Sequence, residues 1–465
     1  MTLIKSISGI RGTIGGKAGD GLSPIDIVKF TSAYGAYIKS MYKISKGIIV
    51  VGRDARISGQ LVESLVVNTL TSLGFDVISL GFATTPTVEI AVTNEKANGG
   101  IIITASHNPR QWNALKLLNA KGEFLNAKEG SAILDLAEVQ DFEFETIDNV
   151  GKIISKSNYD DIHIDMIMKL PLVDVKAIEE AYFTIAIDCV NSVGGIAIPK
   201  LLKRLGVKNV IELHCTPNGE FPHNPEPLPE HLTEISSVVK NKKAHLGIVV
   251  DPDVDRLAIV NEDGTMFGEE YTLVAVADYM LSKSKGNTVS NLSSSRALRD
   301  ITELHGGSYS AAAVGEVNVV EMMKKTNAII GGEGNGGVIL PELHYGRDAL
   351  VGIALFLSHL AKKKMKCSEL KASYPQYFIS KNKIELTPDI NVDQVLKSVE
   401  KKYVSEKVNT IDGVKIDFEA EKEWVHLRKS NTEPIIRIYS ESKNESKANE
   451  LAQRIIIDIK SIIGK

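Results

Sequence analysis

One segment grammar occurs three times in this chain, and it restricts the fold more than any other feature. An apolar run ends in a short polar loop, an amphipathic stretch follows, then a glycine, then a second apolar run. The first copy runs from Ile48–Val51 through the polar residues 54–58 and the helix-like residues 60–73 to Gly74 and residues 76–80. The second pairs residues 184–187 with the loop 191–195, the helix-like 198–205, Gly206 and Val210-Ile211. The third pairs residues 288–292 with Ser293-Ser294-Ser295, the helix-like 296–305, Gly306-Gly307 and residues 309–314. Continuous apolar runs suit buried strands, 3.6-residue spacing suits helices, and a glycine after the last turn suits a helix stop. Strands alternating with helices require mostly parallel or mixed sheets covered on both faces. The expected fold class is therefore α/β, with three related domains at residues 1–153, 154–254 and 255–373. Residues 374–465 read differently. Short strands at 381–386, 415–418, 424–427 and 435–439, then a helix over 446–463, predict a smaller α+β domain. Linkers are expected near residues 151–157, near Asp255 and around residues 373–381.

The bulk numbers agree with a multidomain globular chain. It has 465 residues, 43% of them hydrophobic and 24% charged, and a formal charge of −4. Neither sign dominates, which argues against a nucleic-acid or membrane-surface partner. Three dispersed cysteines draw no disulfide framework and no zinc spacing, so a cytoplasmic setting is expected. No apolar run approaches the roughly 20 residues of a membrane span, and the N-terminus lacks the apolar core of a signal peptide.

Four loops carry the candidate chemistry. Thr104-Ala105-Ser106-His107-Asn108-Pro109 follows the apolar run Ile101-Ile102-Ile103. A serine delivered at the end of a buried strand can carry an acyl or phosphoryl group if something activates it, whereas Asn-Pro by itself signals only a turn. The second loop is Asp251-Pro252-Asp253-Val254-Asp255-Arg256, after the strand-like residues 245–250. Ends of strands are where open α/β sheets bind ligands. Carboxylates at i, i+2 and i+4 repel unless a hard cation such as Mg²⁺, Mn²⁺ or Ca²⁺ neutralises them. An EF-hand would use the same three positions with Glu262 at position 12, but position 6 is Arg256 rather than glycine. A serine together with a metal-binding carboxylate cluster favours phosphoryl over acyl chemistry. The third loop, residues 331–337 (GGEGNGG), lets backbone approach a ligand and offers Glu333 and Asn335 for directional hydrogen bonds; it lacks the dinucleotide fingerprint. The fourth, Arg428-Lys429-Ser430-Asn431-Thr432-Glu433-Pro434 with Arg437 beyond, gathers donors suited to phosphate oxygens. Two shorter segments, residues 8–12 with Arg11 and residues 52–56 with Arg53 and Arg56, read either as additions to the site or as salt-bridged turns.

Taken in order, the four loops resemble those of the α-D-phosphohexomutases, which include phosphoglucomutases, phosphomannomutases and phosphoglucosamine mutases. The resemblance covers nearly the whole chain. It implies three α/β domains and a smaller fourth one around a central cleft. It also implies a reversible transfer between O6 and O1 of a hexose phosphate through phosphoserine and a hexose 1,6-bisphosphate. Ser106 is then the phosphorylated residue, and Asp251, Asp253 and Asp255 bind Mg²⁺ with it. Arg11, His107 and Lys116 lie near the reacting centre, with Lys116 as general acid/base. Arg256, Glu333, Asn335, Arg428, Ser430, Asn431, Thr432 and Arg437 are the expected substrate contacts. A soluble monomer or homodimer acting on a small sugar phosphate is implied. The sugar loop departs from the common G-E-x-S-G-H form. Asn335 replaces the serine and Gly337 the histidine, and Asn431 stands where glycine is usual in the phosphate loop. The G-E-x-N-G-G form is similar to the archaeal-type branch, which points to glucosamine phosphate as substrate over mannose or glucose phosphate. A phosphatase with an aspartyl nucleophile and a non-catalytic sugar-phosphate binder are the competing functions.

Overall fold

The structure, a computed structural model, describes residues 2–6, 9–387, 390–429 and 435–463. The chain divides into two compact units. One contains residues 1–272 and 335–370, the other residues 273–334 and 371–465.

The first unit holds two sheets. Its larger sheet uses β1 (Leu3–Ser6), β2 (Gly9–Thr13), β3 (Gly47–Arg53), β4 (Phe75–Phe82), β5 (Gly99–Ile103), β6 (Trp112–Leu118) and β7 (Ile153–Ser155), in the order β1-β2-β6-β5-β3-β4-β7. The β5-β3-β4-β7 half is parallel and the β1-β2-β6-β5 half antiparallel, so the sheet is mixed. Helices cover both faces because both faces are apolar. Ile49, Val51, Ile101 and Ile103 pack in one core with Phe30, Val66 and Leu70, while Val50 and Ile102 pack in another with Val88 and Ala91. Residue alternation along a strand produces this division. The helix Gly59–Ser72 corresponds to the amphipathic stretch read in the first repeat.

The second sheet uses β8 (Thr184–Asp188), β9 (Asn209–Leu213), β10 (Leu246–Val250) and β11 (Leu257–Asn261), in the order β11-β10-β8-β9. β10 and β11 pair antiparallel from Leu246–Asn261 to Val250–Leu257. Two expectations are corrected here. The turn at Asp255 is fully buried inside this paired unit and is no linker, so the 254/255 boundary falls within one sheet. Likewise the 153/154 boundary falls within β7, which extends the first sheet along β4. The apolar runs on either side of the aspartates find their partners in each other, and that pairing keeps both in one sheet. β15 (Gly337–Ile339) and the buried helix Ala349–Lys363 complete the first unit.

The second unit contains three parallel strands, β12 (Asn287–Asn291) flanked by β13 (Tyr309–Ala312) and β14 (Ala328–Glu333). It also contains an antiparallel sheet in the order β16-β20-β19-β18-β17, from Phe378–Glu385, Lys407–Asn409, Val414–Phe418, Glu423–Lys429 and Ile435–Ser442. The expected succession of strands and then a helix is incomplete. A further helix, Val392–Lys402, lies between β16 and β17, capped by Asn391 and burying Val395, Leu396 and Val399. Its charged composition hid a three-residue apolar stripe. The terminal helix Glu445–Ile462 buries Leu451, Ile455 and Ile459 on the same sheet. Three α/β layers and a smaller α+β layer are therefore present. Among the described residues, no helix is long and apolar enough to cross a membrane.

Candidate active site

β3 and β5 are parallel neighbours, so the loops that leave their C-terminal ends meet. The loop after β3 supplies Asp54 and Arg56, and the loop after β5 supplies Ser106. Arg56 is almost fully buried. Its guanidinium donates to four backbone carbonyls of the serine loop: Ser106 (2.5 Å), Asn108 (2.6 Å), Pro109 (2.8 Å) and Trp112 (3.0 Å). Its Nε donates to Asp54 Oδ2 at 3.1 Å. Thr104 Oγ donates to the same oxygen at 2.6 Å and accepts from the Ser106 amide at 2.9 Å. Ser106 adopts a φ of +48°, the left-handed region that costs a residue with a Cβ of order 1 kcal/mol. The Arg56 network holds that conformation. The segment at residues 52–56, which by sequence was either part of a site or a salt-bridged turn, is the scaffold of the serine loop.

The three aspartates lie in the turn between β10 and β11, and all are fully buried. Ser106 Oγ donates to Asp251 Oδ2 at 2.7 Å, so residues 145 positions apart meet directly. Asp251 Oδ1 accepts from the amides of Asp255 (3.2 Å) and Arg256 (3.1 Å). Asp253 Oδ2 accepts from Thr85 Oγ at 2.6 Å and Lys116 Nζ at 2.7 Å. Asp255 Oδ2 accepts from Arg347 Nη2 at 2.7 Å, with Lys116 Nζ at 3.4 Å. Asp253 Oδ1 and Asp255 Oδ1 have no hydrogen-bond partner among the described residues. Buried carboxylate oxygens without donors are costly, which is the state expected of a cation site. The donor set is all oxygen, fitting a hard divalent ion. Val254, a β-branched residue at φ +62°, completes the tight turn that brings the carboxylates together. The EF-hand alternative is excluded, because paired strands rather than helices flank the loop.

The electrostatics follow from this packing. Burial, then repulsion from Asp255 and Asp253, pushes the Asp251 carboxyl well above its ordinary range. Burial would also raise Asp253, but Lys116 overrides it and holds that carboxyl below its usual value. Burial opposes the charge on Lys116, yet Asp253 and Asp255 more than compensate and keep it an ammonium. His107 Nδ1 is 3.5 Å from Ser106 Oγ. Burial first, and Arg256 second, lower His107 to about 3, so near neutral pH the ring is uncharged and serves as a hydrogen-bonding group.

Other expected residues are distributed as follows. Arg256 reaches Glu226 at 3.7 Å, Asp255 at 3.9 Å and Asp251 at 4.0 Å, so it belongs to the aspartate cluster. Arg11, on β2, is exposed and 3.5 Å from Asn108 Oδ1. Asn335, in the first unit, accepts from the Gly337 amide at 3.2 Å. Glu333, in the second unit, is buried and accepts from Asn291 Nδ2 (2.9 Å) and the Gly315 amide (3.1 Å). Arg428 and Arg437 are opposite each other in the β19–β20 register, and Arg428 Nε forms an ion pair with Asp412 at 2.9 Å. Directly opposed like charges are destabilising unless an anion joins them. Ser430, Asn431 and Thr432 lie outside the described residues.

Sequence reasoning missed two contributors. Arg347 neutralises Asp255, and Gly337 makes room for it: a Cβ at Gly337 would stand 2.3 Å from the Arg347 Cδ. The absent histidine side chain is thus the space through which an arginine reaches the aspartates. Next to it, Asp348 caps the helix Ala349–Lys363 and accepts from His163 (2.9 Å) and His344 (3.3 Å); His344 also faces Glu89 at 3.2 Å. Burial opposes protonation of His344, but Asp348 and Glu89 raise it to about 10. This buried network stands behind the aspartate turn, since Thr85, four residues before Glu89, holds Asp253, and Arg347, next to Asp348, holds Asp255. Gly337 in place of the usual histidine was the one sequence signal available for Arg347.

Comparisons with known proteins agree along the whole chain. The four descriptions of phosphoglucomutase/phosphomannomutase, alpha/beta/alpha domains I, II and III and C-terminal domain, match residues 3–144, 161–264, 268–377 and 383–457. A phosphoglucomutase/phosphomannomutase of Thermococcus kodakarensis is 36% identical over 94% of this chain and 96% of its own length. A phosphoglucosamine/phosphogalactosamine mutase of Sulfurisphaera tokodaii is 32% identical over 96% and 97%. The crystal structure of a phosphoglucomutase/phosphomannomutase family protein from Burkholderia thailandensis superposes with a TM-score of 0.84 at 23% identity, covering 99% of this chain and 98% of that one, and so shares the fold.

Proposed function

Because this chain belongs to the phosphoglucomutase/phosphomannomutase family of α-D-phosphohexomutases, we propose that it interconverts glucosamine 6-phosphate and glucosamine 1-phosphate by passing a phosphoryl group through Ser106. The observation that carries this proposal is the 2.7 Å contact between Ser106 Oγ and Asp251 in a cluster of three buried aspartates with donor-less oxygens. Asp251, Asp253 and Asp255 would hold Mg²⁺. When bound, the ion neutralises charge on the phosphoryl group in transfer.

The chain's own residues define the rest. In the first transfer the P–Oγ bond of phosphorylated Ser106 breaks and a P–O bond to the free sugar hydroxyl forms, giving a hexose 1,6-bisphosphate. The hydroxyl loses a proton and the seryl oxygen gains one; Lys116, held as an ammonium, is proposed to donate its proton to the leaving seryl oxygen and, as the amine so formed, to take up the hydroxyl's. The second transfer returns the other phosphate to Ser106. Arg56 fixes the loop so that Oγ, and not the backbone, faces the aspartates. Arg11 and Arg256 are proposed to steady the reacting phosphate. Glu333 and Asn335 are proposed to bond sugar hydroxyls, and Arg428 and Arg437, with Ser430, Asn431 and Thr432, to grip the phosphate that is not reacting.

The glucosamine assignment rests on the G-E-x-N-G-G loop and on the name of the Sulfurisphaera relative. The Thermococcus relative's name favours a second reading, glucose or mannose phosphate handled by the same mechanism. Initial rates with glucosamine, glucose and mannose phosphates at fixed Mg²⁺ separate the two. Higher kcat/KM for glucosamine phosphate is expected, and equal or better turnover of the others overturns the assignment. Intact mass should show one labile phosphate on the wild type and none on Ser106→Ala.

A further inference from the structure

Away from the aspartate turn, a second group of ligating side chains gathers at the C-terminal edge of the β8–β9 pair. Asp188 ends β8 and lies opposite Leu213, the last residue of β9, which places His214 beside it. His223 returns from the following loop, and Glu234 comes from the first turn of the helix Thr233–Lys242. We propose that Asp188, His214, His223 and Glu234 form a second metal site, selective for Zn²⁺, which fastens the 214–226 loop.

The hydrogen-bond directions carry this inference. His223 Nδ1 lies 2.8 Å from the carbonyl of Asn224. A carbonyl only accepts, so Nδ1 carries the hydrogen. In a neutral ring Nε2 is then a bare lone pair, and it points at Asp188 Oδ2 from 3.1 Å. Two acceptors face each other, which needs a cation between them: a proton or a metal. A backbone carbonyl on the far nitrogen is the arrangement that fixes the tautomer of a ligating histidine. His214 Nε2 stands 3.1 Å from Glu234 Oε2 and 4.0 Å from the same Asp188 oxygen. Tetrahedral zinc with bonds of about 2.0–2.1 Å separates its ligands by roughly 3.3 Å, and the donor atoms of Asp188, His214 and His223 already lie within 4.8 Å of one another, with exposed Glu234 free to follow. Asp188 is buried and its other oxygen accepts from the Val190 amide, so it is held rigidly. The rings of His214 and His223 are nearly edge to face, 5.7 Å between centroids, and both side chains stay partly open to solvent, leaving a path for an ion.

The donor class separates this site from the aspartate cluster. Two imidazoles with two carboxylates suit zinc, whereas three carboxylates suit magnesium. Zinc would bond the Nε2 lone pair that faces Asp188. The loop that would be fastened carries Phe221 against the Arg56 guanidinium (5.1 Å) and Glu226 against Arg256 (3.7 Å).

The test is calorimetric titration of Zn²⁺ into the full chain, stripped with chelator and then saturated with Mg²⁺. One Zn²⁺ per chain is expected, with a higher Tm. His214→Ala and His223→Ala should each weaken binding at least 100-fold, while Asp251→Asn should leave it unchanged. Co²⁺ in place of Zn²⁺ should give tetrahedral visible absorption in the wild type and none in His214→Ala. If His223→Ala fails to fold, His214→Gln, at the partly open ring, bears the same test. Absence of stoichiometric zinc binding in Mg²⁺, or binding that survives loss of either histidine, overturns the proposal.

Discussion

Two buried polar clusters, one in each unit, are made from similar groups and are treated differently. In the first unit, three fully buried aspartates face Lys116, Arg256 and Arg347, yet Asp253 Oδ1 and Asp255 Oδ1 receive no hydrogen bond from the described residues. In the second unit, buried Glu441 accepts at one oxygen, Oε1, from Trp424 Nε1 at 2.6 Å and from the Arg296 amide at 2.8 Å, while its Oε2 also has no hydrogen-bond partner among the described residues. Nearby Glu419 takes Arg299 at 2.8 Å, Lys407 at 3.1 Å and Arg296 at 3.3 Å. Glu419 is fully matched by cations. Burial raises Glu441 to about 7, so a proton can relieve it. The aspartates sit too close to several cations and to each other for one proton to serve. What the difference teaches is that crowding of carboxylates, rather than a single unmet oxygen, marks a ligand site: a lone buried carboxyl neutralises itself by taking a proton, whereas three crowded ones with oxygens left over wait for an ion.

The comparison predicts opposite responses to mutation. The largest effect is on chemistry. Ser106→Ala should lower mutase kcat by about 10⁴-fold or more, because the phosphoryl carrier is lost, while urea unfolding shifts by only about 1–2 kcal/mol, the worth of one hydrogen bond to a buried carboxylate. A variant that retains a tenth of the activity breaks the assignment of Ser106. Arg56→Ala should follow, through stability as well as activity. It strands buried Asp54 and frees four carbonyls, and should cost about 3–5 kcal/mol in denaturant unfolding. Asp251→Asn sharpens the comparison directly. In chelator the variant should be as stable as the wild type or more so, since a destabilised buried charge is gone. With millimolar Mg²⁺ only the wild type should gain, by about 1–3 kcal/mol by mass action. An equal gain in both would place the ion elsewhere.

The smallest effect tests the self-neutralising cluster. Glu441 has a folded value near 7 against an ordinary 4.5. Between those values the folded chain binds the extra proton, so this group's contribution to stability is full below about pH 4.5 and is lost as pH rises through 7. Glu441→Gln keeps the acceptor for Trp424 without the charge. Its stability relative to wild type should improve from pH 5 to pH 8 by up to about 3 kcal/mol. A gap that does not change with pH would mean that Glu441 stays ionised and that the two clusters are alike.

Much of the fold was legible because its signals are local. The three strand–loop–helix repeats expose their periods within about 30 residues, and the chain forms those elements with end shifts of at most four residues. The helix Val392–Lys402 was not legible, since Val395, Leu396 and Val399 stand among charges that mask the stripe. The boundary near Asp255 failed for another reason: an Asp-Pro-Asp turn looks like a polar linker until its flanking runs are paired as β10 and β11. The site divides in the same way. Ser106 and the aspartates declared themselves by residue type at strand ends. Arg56 was ambiguous, because an arginine that scaffolds a loop and one that binds a phosphate have the same local sequence. Arg347 and the His163–His344–Asp348 group were invisible, being assembled from segments that carry no motif.

By itself, then, the chain's order of residues determined which elements form and which side chains have the chemistry for phosphoryl transfer, because both depend on spacing over a few turns or strands. Only the tertiary structure decided which charges are matched. Register between β3 and β5 set Arg56 under the serine loop, and packing of the Asp251 turn set Ser106 Oγ on a carboxylate 145 residues away. The empty volume at Gly337 let Arg347 reach Asp255. Whether a buried carboxylate ends with a donor or without one depends on contacts across the whole unit, and no local pattern encodes it.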